Sequence, residues 1–167
     1  MSRTIIRSKG ASVILAVTAV VFGASLAAAA HHVNTTAGLT HAGAPLALRG
    51  YDPVAYFTEG KAVLGETSIA VKHDGAVYQF ASEENKRRFE ADPARYAPQY
   101  GGFCAYGAAL GKKFDGDPMA FKVVDGKLFL NLDKEIQAKW EEDIPGNIAK
   151  ANQQWKRIRD VSPSELK

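Results

Sequence analysis

Two Asp-Gly dipeptides, Asp74-Gly75 and Asp125-Gly126, each interrupt a run of apolar residues. Ile69 and Val71 precede the first, and Val77 and Phe80 follow it. Val123 and Val124 precede the second, and Leu128 and Leu130 follow it. Asp-Gly tolerates the two positive φ angles that a tight hairpin turn demands, so each stretch predicts two antiparallel strands. Hairpins this alike suggest either one antiparallel sheet or an old duplication. The flanking sequences differ too much to establish a repeat from the letters alone.

Helices account for most of the remainder. Ser82 is a good N-cap, and Glu83 and Glu84 suit the positive end of a helix running to about Ala91. Asp92 caps a short second helix that has Pro93 in its first position. Asp133 caps "KEIQAKWEE", and Pro145 starts a last helix whose Ile148, Ala151, Trp155 and Ile158 share one face. In "LRGYDPVAYF", Pro53 argues against a central strand and predicts a short helical turn that buries Tyr56 and Phe57. The expected fold is a small single α+β domain, with two antiparallel β-hairpins and several short α-helices.

The N-terminus follows different rules. Arg3, Arg7 and Lys9 precede an uncharged apolar run, Ser12 to Leu26, and small residues at Ala27 to Ala30 follow it. That order describes a secretory signal peptide over residues 1–30. Three of the 21 basic residues lie before Gly10, and no acidic residue precedes Asp52. The cleaved chain would therefore carry 18 basic against 18 acidic residues, without the basic excess a nucleic-acid partner requires. Residues 31–44 read as a flexible leader, 45–160 as the folded domain and 161–167 as a frayed tail. An exported, periplasmic location follows, with no membrane attachment after cleavage.

Cys104 is the only cysteine, so no internal disulfide can form. "GGFCAYGAALG" predicts a helix starting just after Gly101-Gly102, with Cys104 in its first turn. The helix N-terminus lowers a thiol pKa, and Ala105, Ala108 and Ala109 let another element approach closely. Cys104 is thus a candidate reactive or ligating thiol, in a pocket shared with Tyr100, Phe103 and Tyr106. The bland alternative is a small buried hydrophobe. His31, His32, His41 and His73 are the other soft ligands. Cleavage after Ala28 or Ala29 would put His31 or His32 third in the mature chain, a pattern suited to copper or nickel.

Several segments together resemble YHS-domain proteins: "YDPVAYF", "VYQFASEENKRRFEADPARYAPQYGGFCAYG", "VVDGKLFLN" and "WEEDIPGNIAKANQQW". The closest likeness is to the exported group named YHS domain-containing (seleno)protein. The wider family is associated with copper and heavy-metal handling, and its metal-associated members resemble "DPVCGM" followed by an "FCS..C" segment. This chain has Ala55, Ala81 and Asn85 at those cysteine positions. The resemblance therefore implies the fold more than the family's thiolate site. If the selenocysteine of some relatives aligns with a thiol here, that thiol is Cys104.

Three functions stay open. The first is an exported accessory or binding domain, taking a soft metal such as copper or a small thiol-reactive ligand near Cys104, with a metal-handling or redox partner. The second is a thiol-redox enzyme using Cys104. The third is a protein-interaction module with Cys104 in its core.

Overall fold

The computed structural model describes residues 31–36, 40 and 42–166. The signal-peptide reading, His41 and part of the leader lie outside the described residues. Chain order is α1 (Ala55–Thr58), β1 (Glu66–His73), β2 (Ala76–Phe80), α2 (Glu83–Ala91), α3 (Pro93–Tyr96), α4 (Ala105–Ala109), β3 (Asp117–Val124), β4 (Lys127–Asn131), α5 (Lys134–Glu141) and α6 (Ile144–Ile158). The architecture is α+β, as the sequence predicts.

Both hairpins form at the Asp-Gly turns. Asp74 and Gly75 have φ of 49° and 81°, and Asp125 and Gly126 have 50° and 69°. Positive φ at both central positions gives a twist that matches the flanking strands. Of the two alternatives, a single sheet is not formed among the described residues: β1 pairs with β2, and β3 with β4. Helices follow each hairpin directly, and isolated bridges such as Cys104–Leu130 and Leu46–Val77 make the remaining strand-like links.

The two halves share one element order. Each begins with a left-handed turn: Leu48, Arg49 and Gly50 at φ of 50°, 50° and 84°, then Tyr100, Gly101 and Gly102 at 52°, 62° and 83°. Each turn closes by an i+3 hydrogen bond, from the Tyr51 N–H to the Leu48 carbonyl and from the Phe103 N–H to the Tyr100 carbonyl. Next comes a residue whose side chain accepts N–H groups at the start of the following helix (Asp52 from Val54 and Ala55, Cys104 from Gly107), then a short helix and an antiparallel bridge, Tyr51–Leu64 or Phe103–Asp115. Each hairpin then has a register shift early in its first strand, between Glu66 and Ala70 or between Asp117 and Phe121. A side-chain-capped helix follows each hairpin, with Ser82 or Asp133 as its cap. The glycines keep step: Gly50 with Gly102, Gly65 with Gly116, Gly75 with Gly126. Asp92 (φ −150°, ψ 76°) and Asp143 (φ −148°, ψ 71°) then cap α3 and the longer α6, so residues from Leu48 to Ile158 run through one order of elements twice.

One strand joins the two cores. Alternate residues of β4 face opposite sides. Leu128 and Leu130 pack with Val54, Tyr56, Phe80 and Phe89 of the first half. Phe129 packs with Trp140, Tyr100 and Ala151 of the second. The small face of α4, Ala105, Ala108 and Ala109, lies against α6 in this second core. The segment after residue 30 also joins the fold. Val33 is buried, the Asn34 N–H donates to the Gly101 carbonyl at 2.8 Å, and Asn34 Nδ2 donates to the Gly102 carbonyl at 3.1 Å.

Candidate functional site

Cys104 stands one residue before α4, as its N-cap, and is 1% exposed. Its Sγ accepts the Gly107 N–H at 3.3 Å, and its thiol donates to Asn131 Oδ1 at 3.7 Å. The Tyr106 N–H also donates to Asn131 Oδ1, at 3.2 Å, so two donors fix that amide's orientation. Burial pushes the Cys104 pKa up, and the N–H of Gly107 opposes it only in part. The thiolate-favouring helix end expected from the sequence is therefore outweighed, because desolvation acts on the whole group while one helix turn supplies few donors. No cleft described below is lined by Cys104.

Its predicted neighbours have separate tasks. Tyr100 is buried against Phe129 and Trp155, with ring centroids at 5.9 and 5.7 Å, and its hydroxyl reaches Asn152 Oδ1 at 3.0 Å. Phe103 is buried near Trp155, and Tyr106 is half-buried beside the second core. His31 and His32 turn to different clefts. Among the described residues no three His, Cys, Asp or Glu side chains converge as a metal site would require.

The positions where metal-associated relatives resemble cysteine do come together, around Asp52. This carboxylate is fully buried. Its Oδ1 accepts the N–H groups of Val54 (2.8 Å) and Ala55 (3.3 Å). Its Oδ2 accepts the Ala81 N–H (2.8 Å) and Asn85 Nδ2 (2.7 Å). Ala55, Ala81 and Asn85 are thus all partners of one anion. The site does not fit a metal: it has no thiolate, and its carboxylate oxygens are taken by four N–H donors. Asp52 and Cys104 occupy equivalent positions in the two halves, each accepting N–H groups at the start of a short helix and tying it to the end of the hairpin. That equivalence gives Cys104 a structural task.

Lys113 was not singled out by the sequence, and no local pattern marks it. It is 6% exposed, and no carboxylate among the described residues pairs with it. Its ammonium donates to the carbonyls of His31 (2.6 Å), Arg159 (2.6 Å) and Val161 (2.7 Å). It also lies 5.2 Å from the ring centroids of both Phe103 and Trp155, within cation–π range. Burial pulls its pKa down to about 8, with Asp160 opposing. One side chain therefore clasps both terminal segments.

Beside this clasp lies a cleft of about 550 Å³, bordered by His32, Asp74, Tyr78, Trp155, Lys156 and Arg159. His32 Nε2 is 2.8 Å from Asp74 Oδ2, an electrostatic contact without an aligned hydrogen bond. Arg159 approaches Asp160 at 3.6 Å. His73 is half-buried, edge-on to Phe89 at 5.5 Å. Gly101 has no room for a side chain: a Cβ there would collide with the His32 carbonyl. The N-terminal segment can thus lie flat and present His32 to the cleft.

The family model of the YHS domain matches residues 54–100. The matched span runs from α1 to Tyr100, one structural unit, and ends where the second left-handed turn begins. No curated protein and no solved structure matches the chain.

Proposed function

We propose that this chain, which carries a YHS domain over residues 54–100, is an exported accessory domain that binds a small polar ligand in the cleft between His32 and Trp155. The observation that carries this reading is convergence. Aromatic side chains and charges of both signs meet at a concave site of a size typical for small ligands. Cys104, by contrast, sits in the core with its protonated form favoured. Neither a metal nor thiol turnover is needed for this binding role, and Cys104 serves the scaffold.

The two tryptophans make the test local. Trp140 is fully buried, whereas Trp155 borders the cleft. A panel of small carboxylates, phosphates and aromatic amines is titrated against the protein while fluorescence is followed. Binding should perturb Trp155 emission, weaken at least tenfold in His32→Ala or Lys156→Ala, and persist in Cys104→Ser. Loss of binding in a folded Cys104→Ser protein, with the cleft variants unaffected, would move the site to the thiol and overturn the proposal. So would a panel with no binder.

A further inference from the structure

The two left-handed turns carry different residues at their middle position. The residue there is Gly101 in the second half and Arg49 in the first, at φ 62°, ψ 16° and φ 50°, ψ 28°. This backbone disfavours every L side chain, so glycine is the residue the fold itself prefers. Arg49 accepts that strain while exposed, and its guanidinium makes no hydrogen bond or ion pair among the described residues. A strained side chain with no partner inside the fold points to a partner outside it.

Arg49 borders a second cleft, of about 370 Å³, lined by Asn34, Thr35 and Thr36 but not by His32. The two left-handed turns meet there through Leu48 and Gly102, with Leu130 also in the lining. Thr35 and Asp115 line it too, and neither side chain has a partner among the described residues. Arg49 and Asp115 do not pair with each other, so among the described residues the cleft lining offers one unpaired cation and one unpaired anion. We propose that this cleft binds a small zwitterion of the amino-acid or short-peptide class. The ligand carboxylate takes the two parallel N–H donors of Arg49, and its ammonium takes Asp115, with the Thr35 hydroxyl beside them.

The test is a backbone-amide NMR titration of the protein with glycylglycine, against acetate and ethylamine, which each carry half of the chemistry. Glycylglycine should shift amides of residues 34–36, 48–50 and 115–116, and bind at least tenfold more tightly than either half. Arg49→Gly and Asp115→Asn should each weaken it at least tenfold. Arg49→Gly should also raise the melting temperature by about 3 °C, because it relieves the left-handed strain. Absence of binding, or acetate binding as tightly as glycylglycine, would overturn the proposal. A lower melting temperature for Arg49→Gly would do so as well, by showing that the arginine serves the fold. None of these readouts depends on the His32–Trp155 cleft.

Discussion

Replacing Asp52 by asparagine changes one oxygen to an amide and keeps the shape. The retained oxygen can still accept from Val54 and Ala55. The new NH₂ stands where Oδ2 was, 2.8 Å from the Ala81 N and 2.7 Å from Asn85 Nδ2, donor against donor. Asn85 can turn its amide and offer oxygen. The Ala81 N–H belongs to the backbone and cannot, so it loses its acceptor at a cost of about 1–3 kcal/mol. The bonds that remain lose their ionic assistance, roughly half their strength. Together these give about 3 kcal/mol, against a typical domain stability of about 5–15 kcal/mol. Urea unfolding followed through Trp140 emission measures this, with the midpoint falling and the slope unchanged. Asp52→Ala, which strands all four donors, should leave the protein at the edge of unfolding. An Asp52→Asn protein within about 0.5 kcal/mol of the parent, the range of neutral surface changes, would refute the reading of Asp52 as the anion that joins α1 to the β2–α2 junction.

Two further outcomes follow from Cys104 and Lys113. The Cys104 thiol should resist a disulfide reagent at neutral pH until denaturant is added. Its raised pKa means the native state holds a proton that the unfolded chain releases near pH 8.5, so this group's contribution to stability falls as pH rises above that value. Cys104→Ser should reduce that fall in a pH series of urea titrations, and rapid labelling of the native protein would contradict it. For Lys113 the sign is opposite. Its pKa of about 8 lies below the unfolded value of about 10.4, so the unfolded chain binds more protons in that window and this group's cost to stability is relieved as pH rises through it. The stability of the parent relative to Lys113→Met should therefore rise between those pH values. The neutral amine has only two N–H groups for three carbonyls, so the protection of amides near residues 31–36, corrected for the base-catalysed rise of intrinsic exchange, should fall over the same range. Corrected protection that does not change with pH there would sink the clasp.

Local chemistry was legible in the letters. The Asp-Gly turns, the Ser82, Asp92 and Asp133 caps and the apolar face of α6 all appear where the sequence places them, because each depends on residues within a turn or two of chain. The duplication was only half legible. The glycine pairs at 50 and 102, 65 and 116, and 75 and 126 carry its signal, but what makes them equivalent is visible only in three dimensions: positive φ at the first and third pairs, and backbone too close for a Cβ at the second.

Cys104 shows where such reading stops. Its place at a helix start could be read from Gly101-Gly102 and the alanines, and from that a lowered pKa followed. Burial decided the opposite, and burial is set by β4, α5 and α6 folding over α4 from far along the chain. The same holds for Lys113, whose three acceptors come from residues 31, 159 and 161, and for Asp52, whose partners at Ala81 and Asn85 arrive with the second strand. Sequence alone determined the elements, because hairpin turns and helix caps are short-range steric and hydrogen-bond choices. Only the tertiary structure decided which charges are enclosed and which face a cleft. Desolvation and carbonyl orientation depend on the whole packed chain, and no local pattern of residues encodes them.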